Sequence, residues 1–567
     1  MRRPTSPSSG AQTVSIAFLA LIAAPLAGET SFEVAAGLAS PVRVAAADRL
    51  TELLPADAFL VVRARSIRTV IDDVNLLTGR SAGDAEYITT EKLLTELDAG
   101  VAEFAAQLDV DRPAGLAVRL EAGMQPAVWF ALPTQNAEKL ALALAGRAEP
   151  LTAIAAGDYL VVASQKDVTS PLGGCTVAAE LAGSDLAAHV DLAALLGAFR
   201  PMVDMGLDQA EMEVTNEGGD EAAVASEYFD LTRDVLDSAR GLRLQLDARA
   251  NRIEIAGTFT VGEGTPLTKW FAGPRRDLGV GAGLLDTAAA FSMLSMSDPA
   301  GIGQRQLDWF ETMAEAVPEK LRGLMQLETE VWREMQPKTT GLSAASLDFA
   351  LEGLRASAFV ESSDPASLIA SMQRFLVSKE IAELGVVVSA PSQREVAGTP
   401  WTEYTIRMDL ETLARFFDEQ ATIPPEDREE AERALALFLG EGGLRLGVAA
   451  VDRYLVTRVG GDDAFARSTA ARVGAKPAGL GEGMIHALSR STNAQAAWLF
   501  HADVGRLMNQ FGDLASSLGQ EIELPVELLG DSFPITAHAV VEGLEWRGGI
   551  EFDAGDLARF VRAMDEK

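Results

Sequence analysis

Two arrangements of apolar and polar positions recur along the chain. The first is a short apolar run that breaks at a polar residue, usually Asp, and continues with helical spacing of its apolar positions. It occurs at 58–71, 187–196, 290–299 and 496–508. Each copy predicts a strand running directly into an amphipathic helix. Asp191, Asp298 and Asp503 stand where an N-cap carboxylate accepts from the first free helix N–H groups, with Ser66 or Arg65 in that place in the first copy. Pro299 suits a first helical position.

The second arrangement is strict alternation over two arms joined by turn residues, which predicts β-hairpins at 116–132, 151–163, 242–261, 344–360, 444–459 and 535–552. Gly123, Gly157-Asp158, Gly353 and Gly543 supply the turns. Polar or proline starts follow most of them and announce helices: Asn136, Thr265-Pro266, Asp364-Pro365, Asp462-Asp463 and Asp553. The hairpins at 155–162 and 449–456 share small-small, Asp and Tyr-Leu-Val in the same order, which points to internal duplication.

Hairpins feed antiparallel ladders, and helices returning over them give an α+β class. The expected architecture is two similar halves of mainly antiparallel sheets, built from repeated strand–helix and hairpin–helix units. The first half spans 48–278 and the second 279–567, with an extra segment near 386–433. Within that segment, 402–413 reads as one more strand–Asp–helix unit and Pro424 to Arg433 as a charged helix start. Gly279, Gly281 and Gly283 interrupt the periodicity where the halves join, and read as a linker.

The N-terminal residues 1–47 form a separate unit. Arg2 and Arg3 precede an apolar run at 14–24 that closes at Pro25, the order of a signal peptide. The run is too short to span a bilayer of about 30 Å as a helix. Export with cleavage between residues 28 and 48 is expected, to the periplasm or the exterior; the alternative is an uncleaved N-terminal anchor. No other segment reaches the roughly 18 apolar residues of a spanning helix, so no integral span is expected in the mature chain.

Composition narrows the classes. The 567 residues are 48% hydrophobic and 23% charged, which suits a chain that buries large cores. A formal charge of −34 repels phosphate backbones, so nucleic acid is not an expected partner. The single Cys175 excludes an internal disulfide, and with only four histidines it excludes Cys-rich metal sites.

The histidines are the remaining candidates for chemistry. His189 precedes Asp191 by two residues, as His501 precedes Asp503, in corresponding units. Alternation puts each His–Asp pair on one strand face, so His189, Asp191, His501 and Asp503 could hold a divalent metal if the units pack together. The alternative is that each Asp only caps its helix. His538 reads as a satisfied sheet residue and His486 as part of a loop or helix start. No serine sits in Gly-x-Ser-x-Gly, no Walker-type Gly-Lys-Ser/Thr occurs, and Gly279 to Gly283 lacks the strand and third glycine of a dinucleotide loop. The acidic runs Glu211 to Glu221 and Asp462-Asp463 lack the spacing of an EF-hand and read as solvated surface. No cofactor is expected.

The opening Leu53-Leu-Pro-Ala-Asp-Ala-Phe-Leu-Val-Val resembles the start of large exported bacterial proteins of unknown function, which carry a similar Leu-Pro-Ala segment after the signal peptide. The resemblance covers about residues 50–75 and implies no catalytic residue. The expectation is an exported, non-catalytic binding or scaffold protein whose partner is a protein or a small molecule. The alternatives are a metal- or carboxylate-dependent hydrolase, and a carrier with a continuous apolar pocket of several hundred Å3 for a hydrophobic ligand.

Overall fold

The computed structural model describes residues 49–78, 88–89, 106–120, 126–145, 152–164, 173–217, 221–249, 251–317, 319–350, 353–417, 442–517 and 532–565, with scattered positions between 428 and 440. The segment 1–47, expected to be a leader, and half of the charged stretch 424–433 lie outside the described residues, as does the centre of the acidic run at 218–220.

Among the described residues nineteen strands join one sheet. The first eight are β1 (Leu60–Ala64), β2 (Ala114–Leu120), β3 (Pro126–Pro133), β4 (Thr152–Ala156), β5 (Tyr159–Ala163), β6 (Leu186–Asp191), β7 (Ala239–Arg249) and β8 (Arg252–Val261). Then come β9 (Phe291–Met296), β10 (Thr339–Ala350), β11 (Gly353–Ser362), β12 (Val386–Val388), β13 (Ser392–Val396) and β14 (Thr399–Met408). The last are β15 (Leu444–Val451), β16 (Tyr454–Val459), β17 (Ala496–Asp503), β18 (Pro534–Glu542) and β19 (Glu545–Phe552).

The helices are α1 (Arg49–Leu53), α2 (Ile67–Leu77), α3 (Ala137–Ala145), α4 (Thr176–Glu180), α5 (Leu192–Glu217), α6 (Glu221–Ser238), α7 (Pro266–Trp270) and α8 (Ile302–Ala316). They continue with α9 (Glu319–Met335), α10 (Pro365–Leu376), α11 (Lys379–Glu383), α12 (Leu410–Phe417), α13 (Asp463–Ala471), α14 (Glu482–Arg490), α15 (Val504–Ser517) and α16 (Ala554–Asp565). The fold is mixed α+β. Among the described residues no helix is long and apolar enough to cross a membrane.

Among the described residues every pairing between these strands is antiparallel. Followed from neighbour to neighbour, the sheet runs β4-β5-β3-β2-β1-β6-β7-β8-β19-β18-β17-β9-β10-β11-β16-β15-β14, and β12 and β13 both pair with β14. All six expected hairpins form. The seam at which the early strands meet the late ones is the β8–β19 pair, where Ala256 faces Gly549 and Ile255 faces Ile550.

Local chemistry explains the strand–helix junctions. The Thr69 N–H donates to Ser66 Oγ at 3.0 Å, that of Ala194 to Asp191 Oδ1 at 2.9 Å and that of Arg506 to Asp503 Oδ1 at 3.0 Å. Asp298 differs. Its Oδ1 accepts from Ala300 N in a turn, and α8 starts only at Ile302, so Pro299 lies outside the helix. In the extra segment, Asp409 Oδ1 accepts from Glu411 and Thr412 N–H groups and opens α12, as expected of a further unit. The β13–β14 hairpin was not expected; its two-residue turn puts Ala397 at φ 51° and Gly398 at φ 84°, the left-handed pair that matches strand twist.

Different helices pack on parts of the two faces of the sheet. On one face, α1 and α4 pack on β1, β2, β3 and β5, burying Leu50, Leu53 and Leu181 against Val61, Trp129 and Val161. Farther along the same face, α13 and α14 cover Leu294, Phe359, Val456 and Leu499. The stretch expected as a linker contributes here: Leu278–Leu284 is a 3-10 helix whose Leu278, Ala282 and Leu284 are buried in this core. On the other face, α9, α10 and α11 bury Val331, Phe375 and Ile381 against Tyr404, Leu446 and Leu455.

Candidate functional site

The four residues expected as a metal set are not brought together. His189 and Asp191 stand on β6, His501 and Asp503 on β17, and four strands lie between. Five strand spacings amount to about 24 Å along the sheet. Each carboxylate is already used: Asp191 caps α5, and Asp503 accepts from Arg506 N, from Phe533 N at 2.9 Å and from Ser532 Oγ at 2.7 Å. His501 Nδ1 lies 3.1 Å from Thr536 Oγ1. Burial lowers the pKa of both imidazoles, and Arg243 adds to the effect at His189.

Among the described residues a different trio approaches closely enough to share a cation: Glu254, His486 and Glu551. Glu254 and Glu551 face each other across the β8–β19 seam. His486 reaches them from within α14, with Nδ1 3.2 Å from Glu551 Oε2. Two guanidinium groups occupy the same space. Arg252 binds Glu254 Oε2 at 2.8 Å and approaches Glu551 at 3.5 Å, and Arg490 of α14 binds Glu254 Oε1. Burial pushes the Glu254 carboxyl up, but the Arg490 hydrogen bond and the Arg490 and Arg252 charges outweigh it and hold the pKa below the ordinary value.

Charge decides what this cluster does. Two carboxylates are balanced by two guanidinium groups within ion-pair distance, so a dication would have to enter beside two fixed positive charges. The arrangement is therefore an ion-pair clasp that ties α14 to both strands of the seam. His538 of β18 lies beside it over Gly549, where an added Cβ would be 3.1 Å from the imidazole Cε1. Contrary to expectation His538 is not satisfied: its Nε2 is buried without a hydrogen-bond partner among the described residues. Burial, reinforced by Arg490, lowers its pKa to about 4, so the ring is neutral at physiological pH.

The opposite face of the same strands has another character. Paired residues share a face, and one transverse row runs Phe130, Leu116, Val62, Ala188, Leu244, Gly257, Gly548, Ala539 and Trp498, from β3 to β17. The adjacent row runs Leu186, Leu246, Ile255, Ile550, Ala537 and Phe500. No charged side chain interrupts either row. Phe130, Leu244, Ile255 and Ile550 nevertheless keep 40–45% of their surface accessible.

An antiparallel sheet that meets water on one side normally turns polar residues outward. Here the seam does the reverse, with Gln245, Glu254, Thr258, Thr536 and His538 buried on the clasp side and isoleucine and leucine exposed on the other. Toward its end this face is roofed by α7 and α8, where Phe271 meets Trp546 and Trp498 edge-on at centroid distances of 4.9 and 5.9 Å.

No protein-family model matches the chain, and no curated protein matches it. Solved structures of TP0453 in three crystal forms align with about half of it. Crystal form III gives 11% identity over 50% of this chain and 97% of that chain, with a TM-score of 0.24. Crystal form IV gives 12% identity over 51% and 97%, also at 0.24, and form I 10% over 50% and 97% at 0.22. A likeness of that grade carries no argument. The reading of function rests on the chain's own geometry.

The clasp residues escaped the sequence reading for a physical reason. Glu254 and Glu551 are isolated charges in alternating strands, and only the pairing of β8 with β19 brings them together. The apolar face left a trace, because the alternation of 242–261 and 535–552 marks one side of each hairpin as apolar, but not which side faces solvent.

Proposed function

We propose that the protein is an exported, non-catalytic carrier or binding module of the cell envelope that holds a hydrophobic ligand along the open apolar face. The observation that carries this reading is the exposed apolar surface of Leu244, Ile255 and Ile550 on the seam. Soluble proteins rarely leave a contiguous patch of this kind uncovered unless it binds something. A sheet face offers side chains but no free backbone groups, so a peptide laid on it would lose hydration without gaining main-chain hydrogen bonds, whereas an alkyl chain needs none. The ion-paired state of the clasp supports a structural rather than a catalytic role for the charged residues.

The same reading takes the chain as two similar halves, 48–278 and 279–567. The order β4-β5-β3-β2-β1-β6-β7-β8 is retraced by β15-β16-β11-β10-β9-β17-β18-β19, and Tyr159 and Tyr454 open β5 and β16 at matching places, which supports duplication. The leader at 1–47 and the Leu-Pro-Ala opening support export to the periplasm or the exterior.

The test uses full-length protein recovered from the exported fraction and stripped of lipid. Binding of 1-N-phenylnaphthylamine is followed by its fluorescence, with displacement by long-chain alkyl compounds. Ile255→Glu with Ile550→Glu is expected to reduce binding at least tenfold, since two charges would enter an apolar contact, with circular dichroism unchanged. Undiminished binding in a folded double variant would overturn the proposal.

A further inference from the structure

The transverse row changes chemistry at β9. Beyond Trp498 it continues as Ser295 and Ser343, whose hydroxyl oxygens lie 2.6 Å apart. These serines, with Ser297, Gln306, Trp332 and Trp498, border a cavity of about 90 Å3 between the sheet and helices α8 and α9. No charged side chain lines it. Trp332 is held against Phe310, with ring centroids 6.2 Å apart and planes inclined by 23°. Its Nε1–H is buried out of reach of the cavity and has no acceptor among the described residues.

These groups define what can enter. In the serine pair one hydroxyl donates to the other, which leaves a hydrogen and lone pairs for a guest. The cavity thus presents hydroxyl donor and acceptor capacity without a compensating charge. A carboxylate or phosphate would surrender its hydration here with no cation to meet it, and an ammonium group would find no anion. An apolar cavity of about 150 Å3 admits benzene, so this smaller one suits a few heavy atoms. The middle of the seam lies three strands away, at about 14 Å along the sheet.

We propose that the cavity receives the uncharged, oxygen-bearing head of an alkyl ligand, an ester or glyceryl hydroxyl, while its chain lies along the apolar row toward the seam. The ligand class is a neutral lipid of the monoacylglycerol or long-chain alcohol type. This assignment rests on the carrier reading above and adds the head group to it.

Delipidated full-length protein is titrated with 1-monopalmitoylglycerol and with palmitate at pH 8, and separately with 1-N-phenylnaphthylamine. Monopalmitoylglycerol is expected to bind about tenfold more tightly than palmitate. Ser295→Ala and Ser343→Ala are each expected to weaken it about fivefold, the effect of one lost hydrogen bond, without changing naphthylamine binding. If palmitate binds equally well, or if both variants hold monopalmitoylglycerol as the parent does, the head-group site is overturned, with water as the cavity's occupant, and the carrier reading stands. Parallel loss of naphthylamine binding in the variants also overturns it, because the effect is then not local to the head. If no alkyl compound and no probe binds, the carrier reading itself fails.

Discussion

Glu328 lies on α9 with 6% of its surface exposed, and burial alone pushes its carboxyl up to about 7. Between the ordinary glutamate value of about 4.3 and that figure, the folded chain keeps a proton that the unfolded chain has released. Its contribution to stability is therefore fully present below the unfolded value and lost as pH rises through 7. Glu328→Gln has no such proton to lose. Melting curves of parent and variant are expected to separate as pH rises from 5 to 8, in favour of the variant, by on the order of 3 kcal/mol; curves that stay parallel would show that the carboxyl is hydrated. His538 acts in the opposite direction. With its pKa lowered to about 4, stability is lost as pH falls from 6.5 toward 4, because the unfolded imidazole takes a proton that the folded one refuses. Neither residue was marked by the sequence as perturbed, since Glu328 sits in an ordinary amphipathic stretch and His538 in ordinary alternation. Burial from other elements creates both shifts.

At the scale of elements, alternation and turn residues located most of the strands. The six hairpins form where period two meets turn residues, with glycine in four of the turns and Asn251 or Asp452 in the other two, and capping by Asp191, Asp364, Asp462 and Asp553 sets the following helices. The β13–β14 hairpin was missed because Ala397 is a poor marker for a left-handed turn position. That weakness is itself testable. A non-glycine residue at φ 51° costs about 1 kcal/mol or more, and Asn tolerates the conformation far better. Ala397→Asn is expected to raise unfolding stability by about 1 kcal/mol, measured by urea denaturation with an unchanged slope. A decrease would mean that Ala397 makes a contact outweighing the strain. The 3-10 helix Leu278–Leu284 shows the converse limit: three glycines in five residues read as a linker, yet the interspersed Leu278, Ala282 and Leu284 were enough to bury it.

For the whole molecule, the β8–β19 seam carries the consequences. Strand identity was readable, but the partner of each outermost hairpin was not, because alternation says which residues share a face and nothing about which edge a strand will meet. The apolar rows exist only after that pairing. Separated pieces 48–278 and 279–567 would each expose a long strand edge beside exposed leucine and isoleucine, a template for uncontrolled association. Each piece produced alone is expected to elute as high-mass material in size-exclusion chromatography. Produced together, they are expected to recover one complex of the parent's size. Two well-behaved monomers would show that the seam is dispensable.

The position of β19 also fixes an order of events during synthesis. β8 is made before the middle of the chain, whereas the strand that covers its edge is made almost last. Through the interval the ribosome, and any export machinery receiving the chain, handles an early segment with one ladder unclosed. Slow translation or pausing between them would lengthen the period in which that edge is open to other chains, and is expected to lower the yield of native protein.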